Sequence, residues 1–266
     1  MRIVVASEPG SSAEANQDGV VVRGDTVAVL DGATARTDTG CRHGVAWFVQ
    51  RLSEALARYS DLNAAEALAA AIGDTAKRHC GTCDLTLPGT PSAAVGVVQM
   101  RGGALHYLLL GDITLVVQSI DRLQVHTDDR VTATARTERD AADAIPGGTP
   151  EKAQALLRMK RAELTSRNVV GGFWIAAADP SVVTHAVIGE IPLAKVQSAA
   201  LLSDGAARIT DLMNLYDWPG FFGALRLGGP ADLIRQIRAA EDSDPHGIRW
   251  PRNKIHDDAT IALVEC

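Results

Sequence analysis

The sequence predicts an α+β protein in which two mainly antiparallel sheets stack face to face between helices, a four-layer α-β-β-α sandwich. Strand-like and helical segments follow one another irregularly along the 266 residues, unlike the βαβα alternation of a doubly wound fold. From Ser92 the hydrophobic period changes to two. There "SAAVGVVQM", a Gly102-Gly103 turn and "ALHYLLLGD" give a hairpin pattern, which "ITLVVQSI" and "LQVHT" continue as a meander.

The segments before this hairpin predict three strands and then two helices. Short apolar runs at 2–7, 19–23 and 26–30 are expected as strands. Apolar residues at three- and four-residue spacing predict a helix over 39–60. A second, alanine-rich helix is expected from a cap at Asn63 to about residue 77.

The second half of the chain predicts a helical insertion followed by more strands. No internal repeat, low-complexity tract or linker interrupts it, so one domain over 1–266 is the simplest expectation. The expected elements are a polar helical insertion over 128–168, strands at 174–179, 181–190 and 196–205, a helix at about 230–241, and a last strand at 259–266.

Composition narrows the classes of partner and compartment. The net charge is −6, and no Lys/Arg-rich run is present, which argues against a nucleic-acid or anionic-membrane partner. The apolar run at the N-terminus is too short for a signal peptide, and no segment has membrane-spanning length. We therefore expect a cytoplasmic protein.

Four cysteines, Cys41, Cys80, Cys83 and Cys266, fit a reducing compartment. Only Cys80-Gly81-Thr82-Cys83 has suggestive spacing, and a zinc site would need a second ligand pair that the spacing does not reveal. This interpretation predicts two reduced thiols beside a turn.

Acidic residues stand at the ends of several apolar runs. Asp31 ends "VAVLDGAT", Asp112 ends "LLLGD", and Asp204 follows "AALLS"; Asp257 and Asp18 precede strands. Each Asp-Gly alone is typical of a turn. If the strand ends converge, however, the carboxylates repel one another unless a cation lies between them. Hard divalent cations such as Mg²⁺ prefer oxygen ligands of this kind.

The order of these motifs resembles a known family. "NQD", "VLDGAT", "LLLGD", "LLSDG" and "DDATIALV" are similar to motifs of the metal-dependent type 2C serine/threonine protein phosphatases, in their bacterial branch. The resemblance spans residues 16–264. It implies a β-sandwich with two Mg²⁺ or Mn²⁺ ions at one end, a variable flap near 128–168, and hydrolysis of phosphorylated proteins by a metal-bridged water.

The resemblance also implies roles for individual residues. Asp31 would bridge both metals, and Asp204 and Asp257 would hold the first. Asp18 and the carbonyl of Gly32 would serve the second, so Asp31 and Asp18 are the expected catalytic acids. Asp112 matches the acid of a third, weaker metal site.

The sequence departs from the family pattern at two positions. Ala13 stands where many members have a phosphate-binding arginine, so Arg36 or Arg42 would have to bind the phosphate. Ala33 stands where eukaryotic members have a histidine proposed as general acid, a role left to a metal-bound water or to His43.

Two alternatives remain open at this point. The chain could be a catalytically weak binding or regulatory module, a pseudophosphatase, which the missing arginine favours and the full set of acids opposes. It could also be a phosphatase of a small phosphorylated metabolite, because the motifs do not separate that substrate from a phosphoprotein.

Overall fold

A computed structural model describes residues 1–79 and 81–266. Its strands form two antiparallel sheets of five. The first sheet has the order β1-β10-β9-β6-β7 and the second β2-β3-β4-β5-β8. The strands are β1 (Arg2–Glu8), β2 (Asp18–Arg23), β3 (Thr26–Gly32), β4 (Ala93–Arg101), β5 (Ala104–Leu110), β6 (Thr114–Ser119), β7 (Leu123–His126), β8 (Val187–Pro192), β9 (Val196–Leu202) and β10 (Ala259–Glu265).

Helices cover the outer faces of both sheets and fill the connection between β7 and β8. Two short 3-10 turns at Pro180–His185 and Leu193–Lys195 flank β8. The helices are α1 (Val45–Arg58), α2 (Ala64–His79), α3 (Arg130–Ala133), α4 (Arg136–Asp143), α5 (Pro150–Thr165), α6 (Asp204–Asp211) and α7 (Trp218–Ser243), the last kinked at Gly229.

Three apolar cores hold the layers together, and this arrangement confirms the predicted four-layer α+β fold. Side chains such as Val29 and Leu201 fill the space between the two sheets. Phe48 on α1 belongs to the core that α1 and α2 form over the second sheet. Phe221 and Phe222 on α7 belong to the matching core over the first sheet. Burial of these aliphatic and aromatic side chains is the main favourable term in folding.

The first helix begins later than the sequence predicts. Helix α1 starts at Val45, whereas the apolar spacing indicated residue 39. Gly40 and Gly44 have positive φ angles of 61° and 81°, which end any helical continuation towards the N-terminus. The segment 33–44 is therefore a loop, and the Asp84 amide donates to the Gly40 carbonyl at 2.9 Å.

Two further expectations differ from the structure. Residues 174–179 form no strand and make only an isolated bridge between Ala93 and Ala176. Asp179 instead caps the 3-10 turn that starts at Pro180, which delays β8 to Val187. Helix α7 begins well before residue 230, because Asp217 accepts a hydrogen bond from the Gly220 amide and caps an earlier first turn.

The helices of residues 130–165 pack separately from the three main cores. Ala142, Ala155, Leu156 and Met159 form a small apolar cluster between α4 and α5. In the part of the chain that the structure describes, no helix combines the length and the apolar character needed to cross a membrane.

Candidate metal centre

The acidic residues singled out in the sequence meet at one end of the sandwich. Asp18 and Asp31 are direct neighbours in the register of β2 and β3. Asp112 follows β5, Asp204 opens α6 directly after β9, and Asp257 lies two residues before β10. The two sheets are joined here by the Asp204 backbone amide, which donates to the Asp31 Oδ2 atom at 3.1 Å.

A cavity at this end collects most of these residues. Asp31, Gly32, Asp112, Asp204 and Asp257 line it together, and we call it the acidic cavity. Asp18 lies behind Asp31, on the side of a shallow groove against α1. Among the described residues, no three of these carboxylates have oxygen atoms that all lie within 4.8 Å of one another. Four of them, Asp31, Asp112, Asp204 and Asp257, line the cavity instead of meeting at one point.

Asp18 is the member whose surroundings leave it least satisfied. Only 9% of the residue is exposed. Neither carboxylate oxygen has a partner within hydrogen-bond distance among the described residues, although the Thr260 and Ser203 hydroxyls are near enough to lower its pKa in part. Burial raises the pKa of Asp18 to about 7. A buried carboxylate without a partner is costly, and a cation between Asp18 and Asp31 would remove that cost.

The other acids that face the cavity destabilise one another as anions. Burial, followed by the charges of Asp204 and Asp18, raises the pKa of Asp31 well above its usual range. Burial and Asp204 raise the pKa of Asp112 to about 7. Asp204 is exposed to solvent as a residue. Desolvation of its carboxylate by the cavity walls, followed by the charge of Asp257, nevertheless raises its pKa too. The residues present therefore fit hard divalent cations.

Asp257 differs from these acids because basic side chains of the protein already contact it. Arg208 Nη2 lies 3.1 Å from Asp257 Oδ2, and Lys254 pairs with the other oxygen. Burial alone would raise the pKa of Asp257, but Lys254 and Arg208 outweigh it and the pKa is lowered. Arg208 is anchored in turn by the fully buried Glu241 at 2.6 Å. Asp257 is therefore held ionised and fixed in position.

Gly32 fits the role of a residue that offers only its backbone. A Cβ atom at this position would lie 2.6 Å from the Gln17 carbonyl oxygen and 2.6 Å from Val45 Cγ1. The Gly32 amide donates to the Gln17 carbonyl at 3.0 Å. A side chain here would separate β3 from α1 and displace the carbonyl beside Asp31.

Basic residues also line the acidic cavity. Arg36 comes from the loop after β3, while Arg139, Lys160 and Arg167 come from the helical segment between β7 and β8. Arg36 Nη2 reaches the Asn253 carbonyl at 3.3 Å, and burial lowers the pKa of its guanidinium. Arg42, the other candidate for phosphate binding, is exposed and does not line the cavity.

Several residues of the site were missed in the sequence. Arg208 stands four residues after Asp204 on α6, and Lys254 three residues before Asp257, so helical and local spacing could have indicated both. No motif indicates Arg139 or Arg167. Their places depend on how the segment after β7 packs, and burial lowers the pKa of Arg167 to about 10.

The neighbouring acid Asp258 has a structural role. Its carboxylate accepts hydrogen bonds at 2.8 Å from the backbone amides of Gly10 and Gln17. These contacts fix the segment that leads into Asp18. Asp257, which the sequence analysis placed in the site, lines the acidic cavity, and Asp258 is not among the residues that line it.

Comparison with known families identifies the chain. The family model described as protein phosphatase 2C matches residues 11–228, so the chain belongs to this family. The expected resemblance is thereby confirmed, and the family supports a metal-dependent phosphatase. A search of curated protein sequences finds no match.

Solved structures of bacterial phosphatases have the same fold. The Mycobacterium tuberculosis serine/threonine phosphatase PstP/Ppp is 15% identical with a TM-score of 0.60, over 99% of this chain and 97% of that one. A PstP catalytic domain in complex with two manganese ions is 17% identical, with a TM-score of 0.58 over the same shares. Mycobacterium smegmatis MsPP in complex with cacodylate is 18% identical, with a TM-score of 0.56 over 100% and 98%.

Proposed function

We propose that this protein hydrolyses phosphomonoesters with the help of divalent cations, and that its substrates are phosphoserine and phosphothreonine in proteins. The observation that carries the proposal is the convergence of Asp18, Asp31, Asp112, Asp204 and Asp257 at one end of the sandwich, where burial and mutual repulsion raise most of their pKa values. The comparisons lend no support to the two alternatives, a binding module and a metabolite phosphatase.

Each acid has a proposed place in a centre for Mg²⁺ or Mn²⁺. Asp31 would contact both cations, because it lies between Asp18 on β2 and Asp204 on α6. Asp204 and Asp257 would hold the first cation, and Asp18 with the Gly32 carbonyl the second. Asp112, on the edge of the same cavity, would contribute to a third and weaker site.

Cations bound there would supply an activated water as nucleophile and offset the charge of the phosphoryl oxygens. The remaining tasks belong to the protein's own side chains. Arg36 would bind the phosphate in place of the absent family arginine, because it lines the acidic cavity and reaches it from the loop after β3. Arg139 is held by Glu163 at 2.7 Å, and its buried Nε has no partner among the described residues.

The helical segment 128–168 is proposed as the flap of the site. Met159, Lys160 and Glu163 on α5 line the cavity together with the acids. This segment has its own small core, so its sequence can vary without disturbing the sandwich. We propose that it sets substrate preference by contacting the residues that flank the phosphorylated side chain.

Hydrolysis of p-nitrophenyl phosphate, and then of phosphopeptides, tests the proposal. The wild-type chain is expected to hydrolyse phosphoserine and phosphothreonine peptides with Mn²⁺ or Mg²⁺ and to stop when a chelator is added. Asp31→Asn is expected to be inactive. Asp25→Asn, in the exposed turn of the same hairpin, is the matched control and should retain activity.

Two results would contradict the proposal. Turnover that does not depend on added cations, or that survives in Asp31→Asn, would exclude the acidic cavity as the reaction site. Faster hydrolysis of small phosphorylated metabolites than of every phosphopeptide tried would exclude a protein substrate while leaving the phosphatase intact.

A further inference from the structure

A second group of metal-ligating side chains lies outside the acidic cavity. Cys41 and His43 come from the loop before α1, His79 ends α2, and Cys83 follows shortly after it. Their four donor atoms all lie within 4.8 Å of one another. We call these four residues the Cys/His cluster. The neighbouring Cys80 lies outside the described residues.

The spacing of the donor atoms matches a single tetrahedral ion. Zn–S bonds of ~2.3 Å and Zn–N bonds of ~2.0–2.1 Å at tetrahedral angles place sulfur and nitrogen about 3.6 Å apart and two sulfurs about 3.8 Å apart. Cys41 Sγ lies 3.6 Å from His79 Nε2 and 3.7 Å from His43 Nδ1. Cys83 Sγ lies 3.3 Å from both Cys41 Sγ and His43 Nδ1. The two Cys41 distances agree with the tetrahedral value within about 0.1 Å, and the two Cys83 distances are about 0.3–0.5 Å shorter than theirs.

The donor set selects the metal. Two thiolates and two neutral imidazoles cancel the charge of a divalent ion, and a closed Cys₂His₂ set with no carboxylate is typical of structural zinc. Mg²⁺ and Mn²⁺, which suit the acidic cavity, prefer oxygen ligands. The two groups of side chains are therefore suited to different metals.

The surroundings hold these ligands in place before any metal binds. The indole of Trp47 stacks on His43 and on His79, with ring centroids 4.3 Å and 4.6 Å away. The His43 backbone amide donates to Cys41 Sγ at 3.3 Å and fixes the position of this sulfur. The Cys83 backbone amide donates to the His79 carbonyl at 3.2 Å and closes the turn after α2.

We infer that Cys41, His43, His79 and Cys83 form a structural Cys₂His₂ zinc site that ties the loop 33–44 to the end of α2. His79 is buried, while the other three ligands are partly exposed, so the ion has a path from solvent. The same loop starts at the acidic cavity and carries Arg36. The zinc would therefore also fix the position from which Arg36 reaches the acidic cavity.

Metal content and cobalt substitution test this inference on the full chain. We expect about one zinc per chain after purification in reducing buffer with zinc added, retained on dialysis. Replacement by Co²⁺ is expected to give the intense visible bands of tetrahedral cobalt and a thiolate-to-cobalt charge-transfer band. That last band requires cysteine ligands, so cobalt in the acidic cavity cannot produce it.

Variants locate the ion. Cys83→Ser and His79→Ala are expected to lose the zinc and the charge-transfer band. Cys266→Ser, which removes an exposed cysteine at the far end of the chain, is the matched control and should keep both. Chelation of zinc from the wild-type chain should lower the Tm by roughly 8–16 °C where free zinc had exceeded its Kd about 1,000-fold.

Three results would overturn the inference. The first is a wild-type chain that takes up no zinc and gives only the weak bands of octahedral cobalt. The second is zinc that remains in Cys83→Ser and is lost in Asp31→Asn. The third is a disulfide between Cys41 and Cys83 that persists in reducing buffer. Because none of these readouts is phosphatase activity, failure here and failure of the proposed function are distinguishable.

Discussion

The acidic cavity and the Cys/His cluster lie at opposite ends of one loop, and they differ in how their donors are brought together. The acids sit beside strands of both sheets, and their charges repel one another. The cysteines and histidines sit on loops and a helix end, with donor atoms all within 4.8 Å. The acids enclose space for hard cations, whereas the Cys/His cluster is already close to the geometry of one softer ion.

This difference follows from charge. Ionised carboxylates separate when no cation is present, so the fold must hold them by strand register and by partners such as Arg208. Thiols and neutral imidazoles do not repel, so stacking on Trp47 and a few backbone hydrogen bonds suffice. A substitution in one cluster is therefore expected to change metal binding by that cluster and not by the other.

The largest effect is expected when one ligand of each cluster is replaced and the two variants are compared. Asp31→Asn should lower Mn²⁺-dependent hydrolysis at least about 1,000-fold, since loss of even one group that supports a reacting oxygen costs about 100–1,000-fold. It should leave the thiolate-to-cobalt band intact. Cys83→Ser should abolish that band and lower activity only about 10-fold, through a less ordered loop around Arg36. Equal loss of both signals in either variant would mean that the clusters do not act separately.

The next largest effect is expected at the buried Glu241, which contacts Arg208 and through it supports Asp257. Glu241 is fully buried and contacts Arg208 at 2.6 Å, Arg238 at 2.8 Å and His256 at 2.9 Å. Glu241→Gln should lower the free energy of unfolding by about 3 kcal/mol in urea denaturation, because buried cations lose their partner. Mn²⁺ affinity should fall about 10–100-fold as Asp257 loses its support.

The surface pair of Arg2 and Glu265 supplies the control for that measurement. Its atoms are 3.3 Å apart, and the Arg2 side chain is 74% exposed. Glu265→Gln should change stability by no more than about 1 kcal/mol and leave Mn²⁺ affinity unchanged. If Glu241→Gln behaves like Glu265→Gln, the buried network does not support Asp257.

A smaller effect is expected from adding one methyl group at Gly32. Gly32→Ala places a Cβ 2.6 Å from Val45 Cγ1, so it should cost about 1–3 kcal/mol in thermal or urea unfolding and weaken Mn²⁺ binding. Gly223→Ala has open space around the new Cβ in α7 and should stabilise the chain by roughly 0.5–1 kcal/mol. Unchanged Mn²⁺ affinity in Gly32→Ala would remove the Gly32 carbonyl from the centre.

The smallest effect separates the two candidate phosphate-binding arginines. Arg36→Ala should raise KM for p-nitrophenyl phosphate about 10-fold, because a charge-assisted contact to the phosphate is lost. Arg42→Ala should leave KM unchanged, since Arg42 is exposed outside the cavity. The opposite ranking in steady-state kinetics would exchange their roles.

Much of the fold could be predicted because its signals are local. The period-two pattern from Ser92 correctly indicates β4 and β5 around the turn at Gly102-Gly103. Where local signals compete, the prediction is wrong. The stretch 174–179 is apolar enough for a strand, yet Asp179 and Pro180 start a 3-10 turn directly after it.

The two clusters were unequally visible in the sequence. Each acid lies beside an apolar strand, and that pattern together with the family resemblance predicted their meeting at one end of the sandwich. The Cys/His cluster was not predicted, because no standard spacing in the sequence links Cys83 to a second ligand pair; the structure supplies Cys41 and His43 from the loop before α1. His43, a candidate acid in the sequence, lies in this cluster.

The sequence by itself determined most of the strands, most of the helices and the acids at the strand ends, because hydrophobic period and turn chemistry act within a few residues. Only the tertiary structure decided which cations support Asp257, which arginine faces the acidic cavity, and that residues near 41 meet residues near 83. These contacts join segments tens to hundreds of residues apart, and packing of helices and loops on the two sheets fixes them.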